Sequence, residues 1–284
     1  MQRLAGFILL PVIFKVHPST HRGLRNDRFH PPHASRIALI TGGSRGLGRS
    51  AALALAADGV DVILTYVSNE AAAQAVVSEI EAKGRRAVAL RLDVGDSKAF
   101  AAFADSVKAA LAAAWQRERF DFLVNNAGVG LHVNFEDMTE TQFDTLYNIH
   151  FKGTYFLTQK LLPLINDGGR IVNVSTGLTR FAMAGASAYA AMKGAVEVLT
   201  RYLAKELGAR GIAANTIAPG AIETDFSGGM VRDNAQVNAM VAGFTALGRA
   251  GKPDDIGGAI AGLLGERNRW VNAQRIEVSG GMMV

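Results

Sequence analysis

Residues 37–48 read I-A-L-I-T-G-G-S-R-G-L-G, a short buried strand followed at once by a glycine-rich turn. From Leu47 a helical pattern runs to Ala57 and stops at Asp58-Gly59. Glycines suit a turn of this kind because they let the backbone reverse sharply between a strand and a helix. The stretch therefore predicts the first unit of a fold in which strands and helices alternate.

The same alternation continues to the end of the chain. Further strands are predicted at 60–66, 86–92, 122–124, 170–174, 212–217 and near 274–278, and helices at 70–83, 97–115, 139–164 and 186–207. Thr139, with Gln142 three residues later, forms a capping box that opens the long helix at 139–164. Seven strands alternating with helices predict an α/β Rossmann fold, a doubly wound seven-stranded parallel sheet with helices on both faces. Because no repeat or linker is evident after residue 35, residues 35–284 are predicted to form a single domain.

Composition narrows the classes of function. A hydrophobic content of 49% and 31 glycines fit a packed α/β protein, and the absence of cysteine excludes disulfides, thiolate nucleophiles and cysteine-ligated metals. The formal net charge is +5, but residues 1–34 carry five basic side chains and one acidic one. The rest of the chain is therefore nearly neutral, and no nucleic-acid partner is expected.

Residues 1–34 differ in kind from the remainder, since they hold four of the seven prolines and four of the six histidines. Their apolar run at 4–14 is shorter than the roughly 20 residues that span a bilayer, and no small-residue cleavage site follows it. We expect a disordered or atypical leader, or an upstream start of the reading frame, with a membrane-associating or targeting role as the alternative. The histidines do not have the regular spacing of metal ligands, so we expect no metal site. We expect the protein to be cytoplasmic.

Tyr189 and Lys193 are four residues apart in the helical pattern at 186–207, so they share a face. A tyrosine titrates near pH 10, and a lysine ammonium one turn away favours the phenolate and lowers the pKa. Thr176 can bring a hydroxyl beside the phenol if the preceding loop folds back. Ser175 either serves in its place or bonds locally at the strand end. These residues predict proton transfer to or from a carbonyl or alcohol oxygen.

The glycine-rich turn predicts a dinucleotide site. Gly42, Gly46 and Gly48 permit close approach of a pyrophosphate to the N-terminus of the following helix. The tip of the second strand lacks the acidic residue that would bond an adenosine ribose diol. Arg45 suits a 2′-phosphate instead, with neutral donors from Ser44, Ser68 and Asn69. We predict NADP(H) as the preferred cofactor with NAD(H) possible, and a solvated loop charge is the alternative role of Arg45.

After the third strand, Asp93-Val94 are placed to meet an adenine ring. Asp93 could equally cap the next helix.

With these residues in view, the chain from residue 36 onward resembles the single-domain short-chain dehydrogenases/reductases. The motifs that carry the resemblance are Thr41-Gly42-x-x-x-Gly46-x-Gly48, Asn125-Asn126-Ala127-Gly128, Asn148, Ser175-Thr176, Tyr189-x-x-x-Lys193 and Pro219-Gly220 followed by Thr224. Within the family, the chain is similar to 3-oxoacyl-[acyl-carrier-protein] reductases.

The resemblance implies catalytic roles. Tyr189 is the general acid in reduction or the base in oxidation, and Lys193 lowers its pKa and holds the nicotinamide ribose. Asn148 opens the long helix locally and holds a water in a proton relay. Thr176 stands where the family usually has serine, and it keeps the hydroxyl. The cofactor residues that follow from the motifs are Thr41, Gly42, Ser44, Arg45, Gly46, Leu47, Gly48, Tyr66, Ser68, Asp93, Val94, Asn125, Ala127, Gly128, Tyr189, Lys193, Pro219, Gly220, Ile222 and Thr224.

Residues 224–251 are expected to form a mobile lid whose apolar side chains favour a hydrophobic small-molecule carbonyl or alcohol substrate. Docking of an acyl carrier protein is left open, because residues 165–170 carry Asp167 where a basic cluster is expected. Apolar faces on the helices at 139–164 and 186–207 agree with a homotetramer or homodimer.

The sequence thus predicts an NADP(H)-dependent oxidoreductase acting on carbonyl or alcohol groups. Two other hypotheses stay open at this point. One is a catalytically idle dinucleotide-binding regulatory or interaction protein, and the other is a lyase or epimerase that uses the same tyrosine and lysine.

Overall fold

The computed structural model describes residues 35–284. The predicted leader at 1–34 lies outside the described residues. Among the described residues, no helix is long and apolar enough to cross a membrane.

The seven predicted strands are all present and lie in one parallel sheet. They are β1 (Ile37–Ile40), β2 (Asp61–Tyr66), β3 (Ala87–Arg91), β4 (Phe120–Asn125), β5 (Ile165–Val174), β6 (Ala213–Pro219) and β7 (Arg275–Val278). Their order across the sheet is β3-β2-β1-β4-β5-β6-β7, and every neighbouring pair is parallel. The change of direction beside β1 brings the carboxyl ends of β1 and β4 together, which is where doubly wound sheets bind ligands.

Helices cover both faces of this sheet. In chain order they are α1 (Gly46–Ala57), α2 (Glu70–Glu81), α3 (Phe100–Trp115), α4 (Glu140–Leu146), α5 (Gly153–Leu161), α6 (Ser187–Glu206), α7 (Met230–Asp233), α8 (Ala235–Gly243) and α9 (Pro253–Leu264). One buried core joins α1, α2 and α9 to the sheet, and a second joins α3, α5 and α6 to the opposite face. The presence of helices on both faces of a parallel sheet confirms the predicted fold class.

The long helix predicted at 139–164 is interrupted. Its capping box is present, since the Thr139 hydroxyl accepts from the Gln142 backbone N–H and the Gln142 side chain accepts from the Thr139 N–H. The segment Tyr147–Lys152 between α4 and α5 is π-helical, and the Gly153 N–H donates to the Asn148 carbonyl oxygen. A Cβ on Gly153 would lie 2.3 Å from the Val94 carbonyl oxygen, so the glycine lets this helix approach the end of β3. Such wide turns recur at functional sites, and this one faces the cleft described next.

Candidate active site

Tyr189 and Lys193 share the face of α6 that looks toward the end of β5. Lys193 is buried, and its Nζ donates to the Val174 carbonyl oxygen at 2.7 Å. The same nitrogen lies 5.8 Å from the centroid of the half-buried Tyr189 ring. The spacing in the sequence therefore places the phenol and the ammonium side by side at the carboxyl edge of the sheet.

The electrostatics of this pair differ from the expectation that Lys193 lowers the pKa of Tyr189. Burial raises the pKa of Tyr189 above its ordinary range, and a hydrogen bond with the Thr176 side chain acts in the lowering direction. Burial also lowers the pKa of Lys193 to about 8. Burial is the larger of the two effects on Tyr189, so a neutral phenol is favoured.

Two adjacent hydroxyls at the end of β5 have different partners. The Thr176 hydroxyl lies beside the Tyr189 phenol and acts to lower its pKa, and the Thr176 oxygen accepts from the Leu178 N–H at 3.3 Å. Ser175 instead donates to Glu197 Oε1 at 2.7 Å, away from the phenol. The hydroxyl beside Tyr189 is therefore that of Thr176, and Ser175 ties the loop to α6.

The π-helical turn brings His150 against Tyr189. The His150 and Tyr189 rings meet edge to face, with centroids 5.0 Å apart and planes at 87°. Asn148 is half-buried, and within residues 35–284 no side-chain hydrogen bond is found for it. The expected opening of the helix is present, but the side chain that it packs against Tyr189 is that of His150. The sequence held one signal for this position: His150 is a polar residue between the apolar residues Ile149 and Phe151.

The glycine-rich turn is held from behind by the residues that follow β4. The Thr41 hydroxyl accepts from the N–H groups of Asn126 and Ala127 at 2.9 and 3.0 Å. The Asn126 side chain donates to the carbonyl oxygens of Thr41 and Gly42 at 2.9 and 3.2 Å. Asn126, part of the motif at 125–128, therefore fixes this turn.

Asn125 does not face the turn. Its buried side chain donates to Thr158 Oγ1 at 3.0 Å and to Asn173 Oδ1 at 2.8 Å, beneath the sheet edge. Its side chain therefore supports the sheet, and the backbone of the residues after it lies beside the turn.

The segment after β6 reaches the glycine-rich turn from the opposite side. Thr224 Cγ2 would lie 3.7 Å from a Cβ on Gly46, and Arg45 Nη1 lies 3.8 Å from Asp225 Oδ2. Pro219 is buried at the end of β6, and a Cβ on Gly220 would lie 3.0 Å from Ser279. Ile222 forms a bridge to Gly251 that closes the base of the expected lid.

The ends of β2 and β3 border the same cleft. Tyr66 pairs with Arg91 across these strands, and Arg91 Nε donates to the Val67 carbonyl oxygen at 3.2 Å, beside Ser68. Asp93 accepts from the Gly95 N–H at 2.8 Å and so stabilises its own turn. The residue that caps the next helical turn is Asp96 rather than Asp93, because its side chain accepts from the Lys98 N–H.

Comparison with known proteins agrees with this arrangement. The model of the family described as enoyl-(acyl carrier protein) reductase matches residues 42–283. The chain belongs to the short-chain dehydrogenase/reductase family. It is 35% identical over 251 residues to the 3-oxoacyl-[acyl-carrier-protein] reductase FabG of Staphylococcus aureus, covering 87% of this chain and 98% of that one.

Two solved structures of short-chain reductases are also similar. LugOII, a promiscuous reductase that catalyses keto-reduction at C1 during lugdunomycin biosynthesis, has a TM-score of 0.84 and 36% identity, covering 88% of this chain and 99% of its own. The angucycline C-6 ketoreductase LanV with bound NADP has a TM-score of 0.83 and 32% identity, covering 87% of this chain and 95% of its own.

The residues of this short-chain dehydrogenase/reductase fit the dinucleotide that its family implies. Gly42 and Gly46 adopt φ angles of 66° and 55°, in the left-handed region that favours glycine. A Cβ on Gly48 would lie 2.2 Å from the Gly42 carbonyl oxygen, so only glycine allows this turn to close onto α1. Ser44 and Leu47 are half-buried beside it, and the free N–H groups at the start of α1 suit a pyrophosphate.

Proposed function

We propose that this protein is an NADP(H)-dependent carbonyl reductase that uses Tyr189 as its general acid and Thr176 as a second donor to the substrate oxygen. The observation that carries the proposal is the placement of the Thr176 hydroxyl and the Tyr189 phenol beside the buried Lys193 ammonium. A donor, an acid and a fixed positive charge around one point suit a carbonyl oxygen that becomes negative during reduction.

When bound, the nicotinamide supplies the hydride, and the protein supplies orientation and the proton. Tyr189, kept neutral by burial, gives its phenolic proton to the oxygen of the new alcohol. The Thr176 oxygen accepts from the Leu178 N–H, and its O–H acts on the Tyr189 oxygen in the direction that lowers the pKa of the phenol. With a carbonyl bound beside both groups, that O–H donates to the substrate oxygen instead. Lys193 stabilises the resulting phenolate until Tyr189 is reprotonated. In the oxidative direction Tyr189 accepts the proton.

NADP(H) is proposed over NAD(H) because the cofactor cleft carries cations at its adenosine side and lacks a strand-tip carboxylate. Arg45 is largely exposed in the glycine-rich turn, and Arg91 lies beside Ser68. A guanidinium pairs well with a phosphate dianion. LanV, whose structure holds NADP, supports the same choice.

The substrate is proposed to be an apolar ketone. The ring centroid of Phe226, in the proposed lid, lies 5.9 Å from that of Tyr189, and Phe226 is 43% exposed. Met183 and Phe244 are similarly exposed. An exposed aromatic side chain beside Tyr189, with further exposed apolar side chains on the surface, favours a hydrophobic substrate. LugOII and LanV, which by their names reduce ketones, support a ketone substrate.

The test measures oxidation of NADPH and of NADH with a panel of aromatic ketones, β-ketoesters and 3-oxoacyl thioesters. We expect turnover with NADPH at higher kcat/KM than with NADH. Tyr189→Phe keeps the ring and removes the acid, so we expect kcat to fall by at least about 100-fold. Cofactor binding should be retained in that variant.

Three results would contradict the proposal. Tight cofactor binding without turnover by any panel member would support the idle dinucleotide-binding protein, and equal kcat in Tyr189→Phe would remove the assigned acid. A preference for NADH would exclude the role of Arg45.

A carrier-protein partner is not favoured at the expected place. Arg210, the basic side chain near the start of β5, donates to Asp167 at 2.8 Å and to the carbonyl oxygens of Leu162 and Ile165. Its charge is thus neutralised before any acidic partner arrives. FabG, by its name, acts on a carrier-linked substrate, so the 3-oxoacyl thioesters in the panel distinguish the two cases.

We propose that copies of the chain associate through the outer face of α4 and α5. Its exposed aromatic side chains are Phe143, Tyr147, Tyr155 and Phe156. Apolar surface of this kind favours self-association, as a homodimer or homotetramer. A cytoplasmic location stays a prediction.

A further inference from the structure

His150 is a buried titratable residue that the proposed mechanism does not use. Its exposed fraction is 1%, and its Nε2 lies 2.8 Å from the Val129 carbonyl oxygen. Its other ring nitrogen, Nδ1, is buried and has no hydrogen-bond partner within residues 35–284. A buried polar atom without a partner destabilises a fold, so its presence calls for an explanation.

The contact with Val129 decides which nitrogen carries the proton. A carbonyl oxygen can only accept, so Nε2 is the donor at 2.8 Å, and the Val129 N–H lies farther from it, at 3.4 Å. The neutral ring then has a free lone pair on Nδ1. Burial and the charge of Lys193 lower the pKa of His150 to about 3, which keeps the ring neutral.

The surroundings of the ring are built to hold it in this orientation. A Cβ on Gly128 would lie 2.8 Å from His150 Cε1 and 3.2 Å from Nδ1, so glycine makes room for that edge. The π-helical turn at Tyr147–Lys152 supplies the backbone position, and Tyr189 packs against the ring. Three separate elements thus place one acceptor beside the reactive pair.

We propose that His150 is a positioning residue for proton transfer, whose Nδ1 accepts a hydrogen bond from a water bound to the Lys193 ammonium. It acts through Lys193 and Tyr189 and does not touch the substrate. The role that the resemblance assigns to Asn148 falls in this chain on His150. This inference rests on the proposed function, since the proton that is positioned is the one that restores Tyr189.

Two substitutions separate the two ring nitrogens. Asn carries its amide oxygen at the position of Nδ1, whereas Gln carries its amide nitrogen near the position of Nε2. His150→Asn therefore keeps the acceptor and loses the bond to Val129, and His150→Gln does the reverse. His150→Phe keeps the ring contact with Tyr189 and removes both nitrogens.

We expect His150→Asn to keep kcat within a few-fold of the parent protein. His150→Gln and His150→Phe should lose about 10-fold or more in kcat, with KM and cofactor affinity nearly unchanged. The profile of kcat against pH should shift in those two variants alone. Better activity in His150→Gln than in His150→Asn would overturn the proposal, because it would show that the bond to Val129 is what matters.

A second measurement does not need turnover. In ¹⁵N-histidine NMR of the full chain, assigned by the signal lost in His150→Gln, we expect Nε2 protonated and Nδ1 unprotonated. This state should persist from neutral pH down to about pH 5. A proton on Nδ1 would overturn the proposal. If the parent protein turns over no substrate, the proposed function fails, and this spectrum still decides the assignment of Nδ1.

Discussion

Thr176 and Ser175 show how one residue step decides a role. Both carry a hydroxyl at the end of β5, but successive side chains of an extended segment point to opposite sides. Thr176 therefore reaches Tyr189, and Ser175 reaches Glu197. The position thirteen residues before Tyr189 was the one chosen from the sequence, and the alternative of Ser175 as the working hydroxyl is not supported by these contacts.

Thr176→Val tests the hydroxyl directly. Valine has the shape of threonine without the O–H, so the substrate oxygen loses one donor. We expect kcat/KM to fall about 100-fold, as when one donor is removed from an oxyanion site. Thr176→Ser is the matched control and should keep most of the activity. Equal rates for the valine and threonine proteins would show that this hydroxyl makes no contribution.

At the scale of elements, α6 holds the site together through residues one turn apart. Lys193 faces the catalytic cleft, and Glu197 Oε1 accepts from Ser175, Thr179 and Arg275 at 2.7, 2.8 and 2.9 Å. Arg275 of β7 also donates to the Thr176 carbonyl oxygen at 3.2 Å. This cluster connects the catalytic loop to α6 and to the edge strand of the sheet.

Glu197→Gln should weaken this cluster. The amide keeps the size of the side chain but removes one of the two carboxylate charges, Glu197 and Glu277, that balance Arg275, whose side chain is 24% exposed. We expect the free energy of unfolding to fall by about 1–3 kcal/mol, measured by chemical denaturation, with a lower kcat as the Thr176 loop loosens. The control is Glu79→Gln, which breaks the salt bridge with Arg49, in which each of the two side chains is 43% exposed. That change should cost less than about 1 kcal/mol. Equal losses in both variants would contradict the structural role of Glu197.

The π-helical turn is the other feature at this scale. A continuous α-helix was expected at 139–164, and its capping box and its apolar residues agree with one. Directly after the interruption, Gly153 fits against the Val94 carbonyl oxygen, a contact between residues about sixty positions apart. Helical periodicity does not report such a contact, so the packing of His150 against Tyr189 could not be found from the pattern.

For the whole molecule, the shifted groups predict how stability depends on pH. The pKa of His150 falls from 6.5 to about 3 on folding. The stability that its neutral form contributes to the folded state is therefore complete above pH 6.5 and is lost as the pH falls toward 3. The charged and titratable groups that face it, Lys193 and Tyr189, do not change protonation in that range. Arg180 holds the pKa of Glu277 at about 2, so this carboxylate adds a loss that begins only below about pH 4.5.

We therefore expect the free energy of unfolding to decline by about 1.4 kcal/mol per pH unit for His150 below pH 6.5. His150→Asn should flatten the decline between pH 6.5 and about 5, whereas Glu277→Gln should leave this part of the curve unchanged. Denaturation at a series of pH values measures both. An unchanged slope in His150→Asn would show that the histidine is protonated in the folded state.

Much of this protein follows from its sequence alone, because the signals are local. The alternation of strands and helices, the capping box at Thr139, the glycine-rich turn and the shared face of Tyr189 and Lys193 all depend on residues a few positions apart. The bonds of Ser175, Thr176 and Asn126, the raised pKa of Tyr189 and the place of His150 against it came instead from tertiary structure. Each depends on burial, or on contacts between segments that only the folded sheet brings together, and short-range periodicity carries no information about either.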